Sequence, residues 1–176
     1  MKNKGFTMIE LLVVIAVIGI LAVAVLSAIN PIEQINRGKD TGSRSDAEQF
    51  ISAVDRYYAS KGKYPWQNTP DDGLEHYAWT AQNVESSQIL LNLSNSTSEL
   101  KKSFIKRITN ISEYNTLYLY NNGVTGDSSY VCFMPKSKAF EDDATTRCAG
   151  DLPGDVDAVT SGLICGGVSN AYSCLP

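Results

Sequence analysis

The sequence predicts an α+β protein. A long N-terminal helix, membrane-spanning in its first half and amphipathic in its second, packs on a small antiparallel sheet and is followed by a disulfide-bounded C-terminal loop. Three observations predict this. Leu11–Ile29 is an unbroken apolar run of 19 residues, close to the ~20 that a helix needs to cross a bilayer core. Ala47, Phe50, Ile51, Val54, Tyr57 and Tyr58 recur at spacings of three, four and seven, which is one face of a helix, and that face should lie on a sheet. Past Ile111 the apolar period drops to two. Thr116–Tyr120 and Ser129–Met134 then read as adjacent antiparallel strands, with Asn121-Asn122-Gly123 as a turn.

Within Gly5–Ile29 the one charge is Glu10. A carboxylate at the centre of a membrane helix costs roughly 2.5–3.5 kcal/mol and is read first as functional; near the helix end the cost is smaller. Lys2 and Lys4 precede the run, and lysines mark the cytoplasmic flank of a membrane span. A secretory signal would be cut after the apolar run, where Ala22, Ala24, Ser27 and Ala28 offer small residues. A cut after Gly5 would instead keep the helix in the product and start it with a free amine at Phe6.

Lys4-Gly5-Phe6-Thr7-Met8-Ile9-Glu10-Leu11-Leu12-Val13-Val14 resembles the class III leader of type IV pilins and pseudopilins. The resemblance is dense over Lys4–Ile29, and Gly19 falls where the family commonly has a helix glycine. It implies a pilin fold. It also implies cleavage between Gly5 and Phe6 by a prepilin peptidase, N-methylation of Phe6, and assembly through Phe6 and Glu10. The Phe6 amine of one subunit would meet Glu10 of its neighbour, since opposite charges in low dielectric attract strongly while either alone is penalised. Asp46…Phe50-Ile51-Ser52-Ala53-Val54-Asp55-Arg56-Tyr57-Tyr58…Gly62-Lys63-Tyr64-Pro65 is similar to the region closing the first helix in G-type major pseudopilins. The family's helix-breaking proline usually falls near Ser27. Here Pro31 follows Asn30 at the membrane exit, so local distortion is expected near Asn30.

The expected organisation is a leader at 1–5, a transmembrane and assembly helix at 6–30, its amphipathic continuation at 31–62 and an extracytoplasmic head at 63–176. Roughly 145 residues beyond the membrane helix suffice for one core. On the second helix half, Arg37, Lys39, Asp40, Arg44, Asp46, Glu48, Asp55 and Arg56 fill the other face, read as solvated or as pairing between subunits. Gly38 and Gly42 weaken it by about 1 kcal/mol each and allow a bend or close approach. Gly62 caps its end, with Pro65 beyond. Residues 66–98 read as loop-rich around the turn Asn68–Gly73, with Trp66, Tyr77 and Trp79 as core anchors or an exposed patch. Short helices are expected over Ser86–Leu93 and Ser98–Ile111, the latter capped by Ser98 with Leu100, Phe104, Ile105 and Ile108 on one face. Lone His76 reads as structural or solvated rather than catalytic. Asn92, Asn95 and Asn110 begin sequons that read as chance occurrences in a prokaryotic surface protein.

The four cysteines, Cys132, Cys148, Cys165 and Cys174, read as two disulfides on the oxidising side of a membrane. Three pairings exist; sequence neighbours favour Cys132–Cys148 with Cys165–Cys174. Leu163-Ile164-Cys165 is expected to add a short strand. Glu141-Asp142-Asp143 and Asp151…Asp155-Val156-Asp157 make the tail acidic. G-type pseudopilins bind calcium in their C-terminal loop, which makes Asp151, Asp155 and Asp157 calcium candidates, although a solvated acidic loop is the stronger reading. No other cofactor is indicated.

No nucleophile motif, phosphate loop or zinc spacing is present, so the sequence does not read as an enzyme. A net charge of −4 gives no general attraction for nucleic acid; the one basic cluster is Lys101-Lys102…Lys106-Arg107. The resemblance implies a structural subunit of a type IV pilus-like filament. The subunit is held single-pass in the cytoplasmic membrane before assembly, with its N-terminus in the cytoplasm. It is then built into a helical homopolymer by an inner-membrane platform and ATPase. The alternatives are a pseudopilin of a type II secretion system in a periplasmic pseudopilus, a minor tip pilin in adhesion or DNA uptake, and a membrane-anchored or secreted domain that never polymerises.

Overall fold

A computed structural model describes residues 5–70, 72–73, 75–110, 115–124, 126–150, 152–166 and 171–176. The chain divides into two units, Met1–Ile35 and Asn36–Pro176.

The first unit holds α1 (Met8–Ala28). A helix satisfies its own backbone groups, as a lipid-facing segment must. Its stretch Met8–Ser27 is long and apolar enough to cross a membrane. The helix stops at Ile29, which is extended at φ −102°, ψ 133°. Pro31 contributes to the stop: it has no N–H to donate back to the Ser27 carbonyl, and its ring disfavours helical backbone at Asn30. Asn30 then starts the next helix, α2 (Pro31–Lys61): its Oδ1 accepts the Glu33 N–H at 3.3 Å, and Pro31 occupies a first-turn position where no donor is needed.

In the second unit, α2 buries Ala47, Phe50, Ile51, Ala53, Val54 and Tyr57, so the helical stripe faces the core. Tyr58, expected on that stripe, is 47% exposed and lies 4.6 Å from the Tyr64 ring. Tyr64 stacks on Trp66 at 4.5 Å, and Trp66 packs on Tyr77 at 5.0 Å. Both Trp66 and Tyr77 are half-buried against the core. Gly62 ends the helix with φ +66°, its N–H donating to the Tyr58 carbonyl at 2.8 Å.

Four antiparallel strands follow in the order β1 (Tyr77–Ala81), β2 (Leu117–Asn121), β3 (Ser129–Phe133) and β4 (Ser173–Leu175). Side chains alternate between faces along a strand. Leu117, Leu119, Val131 and Phe133 therefore join the α2 stripe in one cluster, while Tyr120, Tyr130 and Cys132 form a second with Tyr118 and Trp79. Gly123, in the β2–β3 turn, has φ +83°, and a Cβ there would come within 2.4 Å of the His76 backbone nitrogen. The turn needs glycine on both counts. His76 thus has a structural setting, with its ring edge-on to Tyr120 at 6.3 Å.

Between β1 and β2 lie α3 (Gln88–Leu91), a π-helical turn over Asn92–Ser96 and α4 (Lys102–Thr109). Ser98 does not cap α4: its φ is +55°, and Lys101 holds the cap position. The apolar face is nonetheless buried as the pattern predicts, at Leu100, Phe104, Ile105 and Ile108. The tail holds more regular structure than its composition indicates: α5 (Lys138–Ala149), α6 (Ala158–Ile164) and β4. Leu163-Ile164-Cys165, expected as a strand, closes α6 instead.

The disulfides are Cys132–Cys174 and Cys148–Cys165, which corrects the pairing of sequence neighbours. The reason is register. Cys132 and Cys174 are partners across β3 and β4, with Cα atoms 4.0 Å apart, and Cys148 and Cys165 close the shorter loop inside.

Two members of the charged face of α2 are buried rather than solvated. Asp40 is fully buried and accepts from the Lys136 and Ser137 N–H groups and the Ser137 hydroxyl, at 2.6–3.0 Å. Asp46 pairs with Arg107 of α4. Arg56 pairs with Glu99 at 2.6 Å. Nothing lies within 4 Å of a Cβ placed at Gly38 or Gly42, and α2 is assigned without a break through both.

Candidate assembly site

Gly5, Phe6 and Thr7 precede the first turn of α1, and Gly5 and Phe6 are exposed. A peptide bond between two exposed residues outside a helix is open to a peptidase. Thr7 is the N-cap. Its Oγ accepts the Glu10 N–H at 3.3 Å, while Glu10 Oε2 accepts the Thr7 N–H at 2.8 Å and the Thr7 hydroxyl at 2.7 Å. This is a capping box, two otherwise unpaired donors satisfied reciprocally. Sequence reasoning singled out Glu10 but missed Thr7 as its partner, although the Thr-x-x-Glu spacing carries that signal. A carboxylate at the first turn also meets the positive end of the helix dipole.

From Met8 to Ser27 every described side chain of α1 is exposed, Ile9 at 76% and Leu26 at 73%. Apolar surface of that extent does not stay in water. It needs lipid or other apolar helices as its neighbours.

The calcium candidates part ways. Asp151 lies outside the described residues. Asp155 Oδ1 accepts the Tyr130 hydroxyl at 2.6 Å and Oδ2 the Ser128 N–H at 3.0 Å. Asp157 Oδ2 accepts the Tyr120 hydroxyl at 2.6 Å, and Oδ1 accepts the Val159 and Thr160 N–H groups at 2.8 Å. Among the described residues no three His, Cys, Asp or Glu side chains gather as a metal site. The two carboxylates fasten the tail to the outer face of the sheet. Burial pushes the Asp155 carboxyl up, but the Tyr130 hydroxyl and the Ser128 N–H outweigh it and hold it below the ordinary range. For Asp157 the Tyr120 hydroxyl, with the Thr160 N–H, lowers it to about 2. Burial pushes the Tyr130 hydroxyl up in turn.

The basic cluster is partly spent within the fold. Arg107 pairs with Asp46 and lies 5.2 Å over the Phe104 ring, which leaves less charge for phosphate contacts.

The N-terminal segment matches the family model described as the prokaryotic N-terminal methylation motif over residues 1–26. The chain is 30% identical over 153 residues to a fimbrial protein of Neisseria meningitidis serogroup B, covering 85% of this chain and 86% of that one. It is 28% identical over 161 residues to the type IV major pilin protein PilE of Neisseria gonorrhoeae, covering 88% of this chain and 89% of the relative. It is also 44% identical over 67 residues, 38% of the chain, to a type IV major pilin protein PilE1 of the same species. No solved structure matches the chain.

Proposed function

The chain belongs to the type IV pilin family, and from that premise we propose how it works as a structural subunit of a type IV pilus. The observation that carries the reading is α1, capped by Thr7 and Glu10 and exposing an almost continuous apolar surface from Leu11 to Leu26, in a chain similar to fimbrial proteins across most of its length.

The precursor sits in the cytoplasmic membrane through α1, with Lys2 and Lys4 on the cytoplasmic side. A prepilin peptidase cuts after Gly5, and Phe6 becomes the methylated N-terminus. An inner-membrane platform and ATPase then move α1 from lipid into a bundle of α1 helices from other copies. Apolar surface leaves lipid for protein, so the hydrophobic effect contributes little to this step, and packing and polar pairing decide register. Glu10 supplies the polar pairing. In the isolated chain its carboxylate is occupied by Thr7. In the filament the Phe6 amine of a neighbour competes for it, which favours the one axial offset that brings the two together.

Glu10→Ala is expected to leave cleavage intact while reducing filament number at least tenfold, counted by electron microscopy. Normal filament number in that variant would remove the charge pair from the mechanism. The identity of the subunit is tested by the intact mass of the protein in the fraction sheared from cells. A mass for residues 6–176, plus one methyl group and minus four hydrogens, is expected. A soluble form lacking the whole apolar run would overturn the assembly reading.

A further inference from the structure

The two disulfides are not the pairing that a loose chain favours. Nine residues separate Cys165 from Cys174, against 42 between Cys132 and Cys174. Closure probability falls with about the 3/2 power of loop length. Cys165–Cys174 therefore leads Cys132–Cys174 by roughly five- to tenfold, depending on whether the inner bond has already shortened the outer loop. Cys132–Cys148 and Cys148–Cys165 close loops of nearly equal length and do not offset this. Structure present before oxidation must make the choice.

Strand register places Cys132 against Cys174. The other pair depends on α5, which carries Cys148 in its last turn and has little burial to fix it: Ala144 is its one buried residue, with Phe140 half-buried. A carboxylate from α2 fixes its start. Fully buried Asp40 accepts the Lys136 N–H on both oxygens at 3.0 Å, the Ser137 N–H at 2.7 Å and the Ser137 hydroxyl at 2.6 Å. Ser137 holds the cap position of α5, yet its hydroxyl is turned to Asp40. A buried carboxylate with these donors is held in one place, because leaving them costs its desolvation. The far end of α5 has a weaker hold: Arg147, its side chain 47% exposed, donates to the Cys174 carbonyl at 3.3 Å. A helix pinned at its start also fixes its far end, and Cys148 lies eleven residues past Ser137, about 16 Å along the axis. Cys165 is delivered in a similar way, at the end of α6, whose start Asp157 caps.

We propose that Asp40 selects the disulfide pairing. By pinning the start of α5 to α2 it presents Cys148 to Cys165 before either bond forms, and it keeps Cys148 from Cys132. Asp40 is a positioning residue and takes no part in the chemistry. Each bond forms as two thiols give up two protons and two electrons to an external disulfide, such as oxidised glutathione, which leaves as two thiols. The selection is independent of the filament reading.

The test uses the full chain in detergent, equilibrated in glutathione buffers of graded ratio, with free thiols trapped and counted by mass. A Cys132→Ser/Cys174→Ser background reports the 148/165 bond alone, and a Cys148→Ser/Cys165→Ser background reports 132/174 alone. Asp40→Ala is expected to lower the effective concentration of the 148/165 pair about tenfold or more, the margin that closure entropy sets, and to leave the 132/174 pair within about twofold. With all four cysteines present and the chain oxidised from the reduced state, Asp40→Ala should yield a Cys132–Cys148 bond, mapped by proteolysis and mass spectrometry without reduction. Native pairing alone in that variant would overturn the proposal. So would an equal fall in both effective concentrations, which is loss of the fold rather than loss of aim. Ser137→Ala removes one contact to the carboxylate and keeps the backbone ones, and it decides the question where Asp40→Ala does not fold. It should depress the 148/165 value roughly threefold with 132/174 unchanged; an unchanged 148/165 value would equally overturn the selection.

Discussion

Asp157 performs two tasks with one carboxylate. It caps α6 through the Val159 and Thr160 N–H groups, and it holds the tail to the sheet through the Tyr120 hydroxyl. The Tyr120 hydroxyl first, and then the Thr160 N–H, lower it to about 2, against roughly 3.9 for a free aspartate. A depressed folded-state value gives stability that is present above about pH 4 and is lost as pH falls towards 2. Asp155 acts in the same direction. Asp46 and Asp55 oppose it, because burial raises both and their protonation favours the fold in acid. Asp157→Ala should cost roughly 2 kcal/mol at neutral pH, the sum of a lost cap and a lost hydrogen bond, measured by denaturant unfolding. Asp157→Asn keeps a competent cap, so it should cost less and flatten the stability curve between pH 4 and 2. An acid limb as steep as the parent's in that variant would mean that other carboxylates control it. The density of acid in the tail was legible in the sequence, but its use was not. The hydroxyls that bind Asp155 and Asp157 come from 25 and 37 residues earlier, and no local pattern announces them.

Elements were legible where one periodicity ran long enough to stand above chance. The α2 stripe, the β2–β3 hairpin and the apolar face of α4 were readable for that reason. Helix α5 was not: among its residues Ala144 alone is buried, so it shows no apolar stripe, and its anchors are a disulfide and a half-buried Phe140. Strand β4 has three residues, too few to show alternation. The triplet Leu163-Ile164-Cys165 suits a strand or a helix equally, and the Asp157 cap decides for helix. These weakly patterned elements are the ones the disulfides hold. Sequence separations of 42 and 17 give roughly 4 and 3 kcal/mol of restriction on the unfolded chain when each crosslink is taken alone. The two loops are nested, so the inner bond shortens the outer one and the effects should fall short of additive. Paired Cys→Ser variants at 132/174 and at 148/165, followed by thermal unfolding, check this. The 132/174 variant should also lose protection from amide exchange in β4, whereas equal exchange in both variants would show that β4 docks without its crosslink.

The molecule divides its labour between two units of opposite solubility. Among the described residues the hydrophobic core is drawn from beyond Ile35: the α2 stripe, the α3 and α4 faces and one side of the sheet in one cluster, and Tyr120, Tyr130 and Cys132 on the other side in a second. The exposed apolar surface of α1 lies entirely before Ile35. The boundary follows from α2 itself, whose first residues, Ile32 and Ile35, are 69% and 59% exposed, while burial begins with Asp40. Of this arrangement, the apolar run and the stripe were plain in the sequence. The point where α2 starts to bury its face was not, because it is set by Asp40 reaching Lys136 and Ser137, 96 and 97 residues away. A core complete without α1 has a direct consequence. A chain starting at Asn36 should fold with both disulfides formed, unfold cooperatively, and sediment as a monomer without detergent. The full chain should need detergent or self-association to remain in solution, because α1 keeps its apolar surface in either state of the head. Circular dichroism melting and sedimentation velocity on the two chains compare them directly. A truncated chain that melts without cooperativity would show that the first turns of α2 are needed for the head to fold. Filaments formed by the truncated chain would place the main assembly energy in the heads rather than in α1.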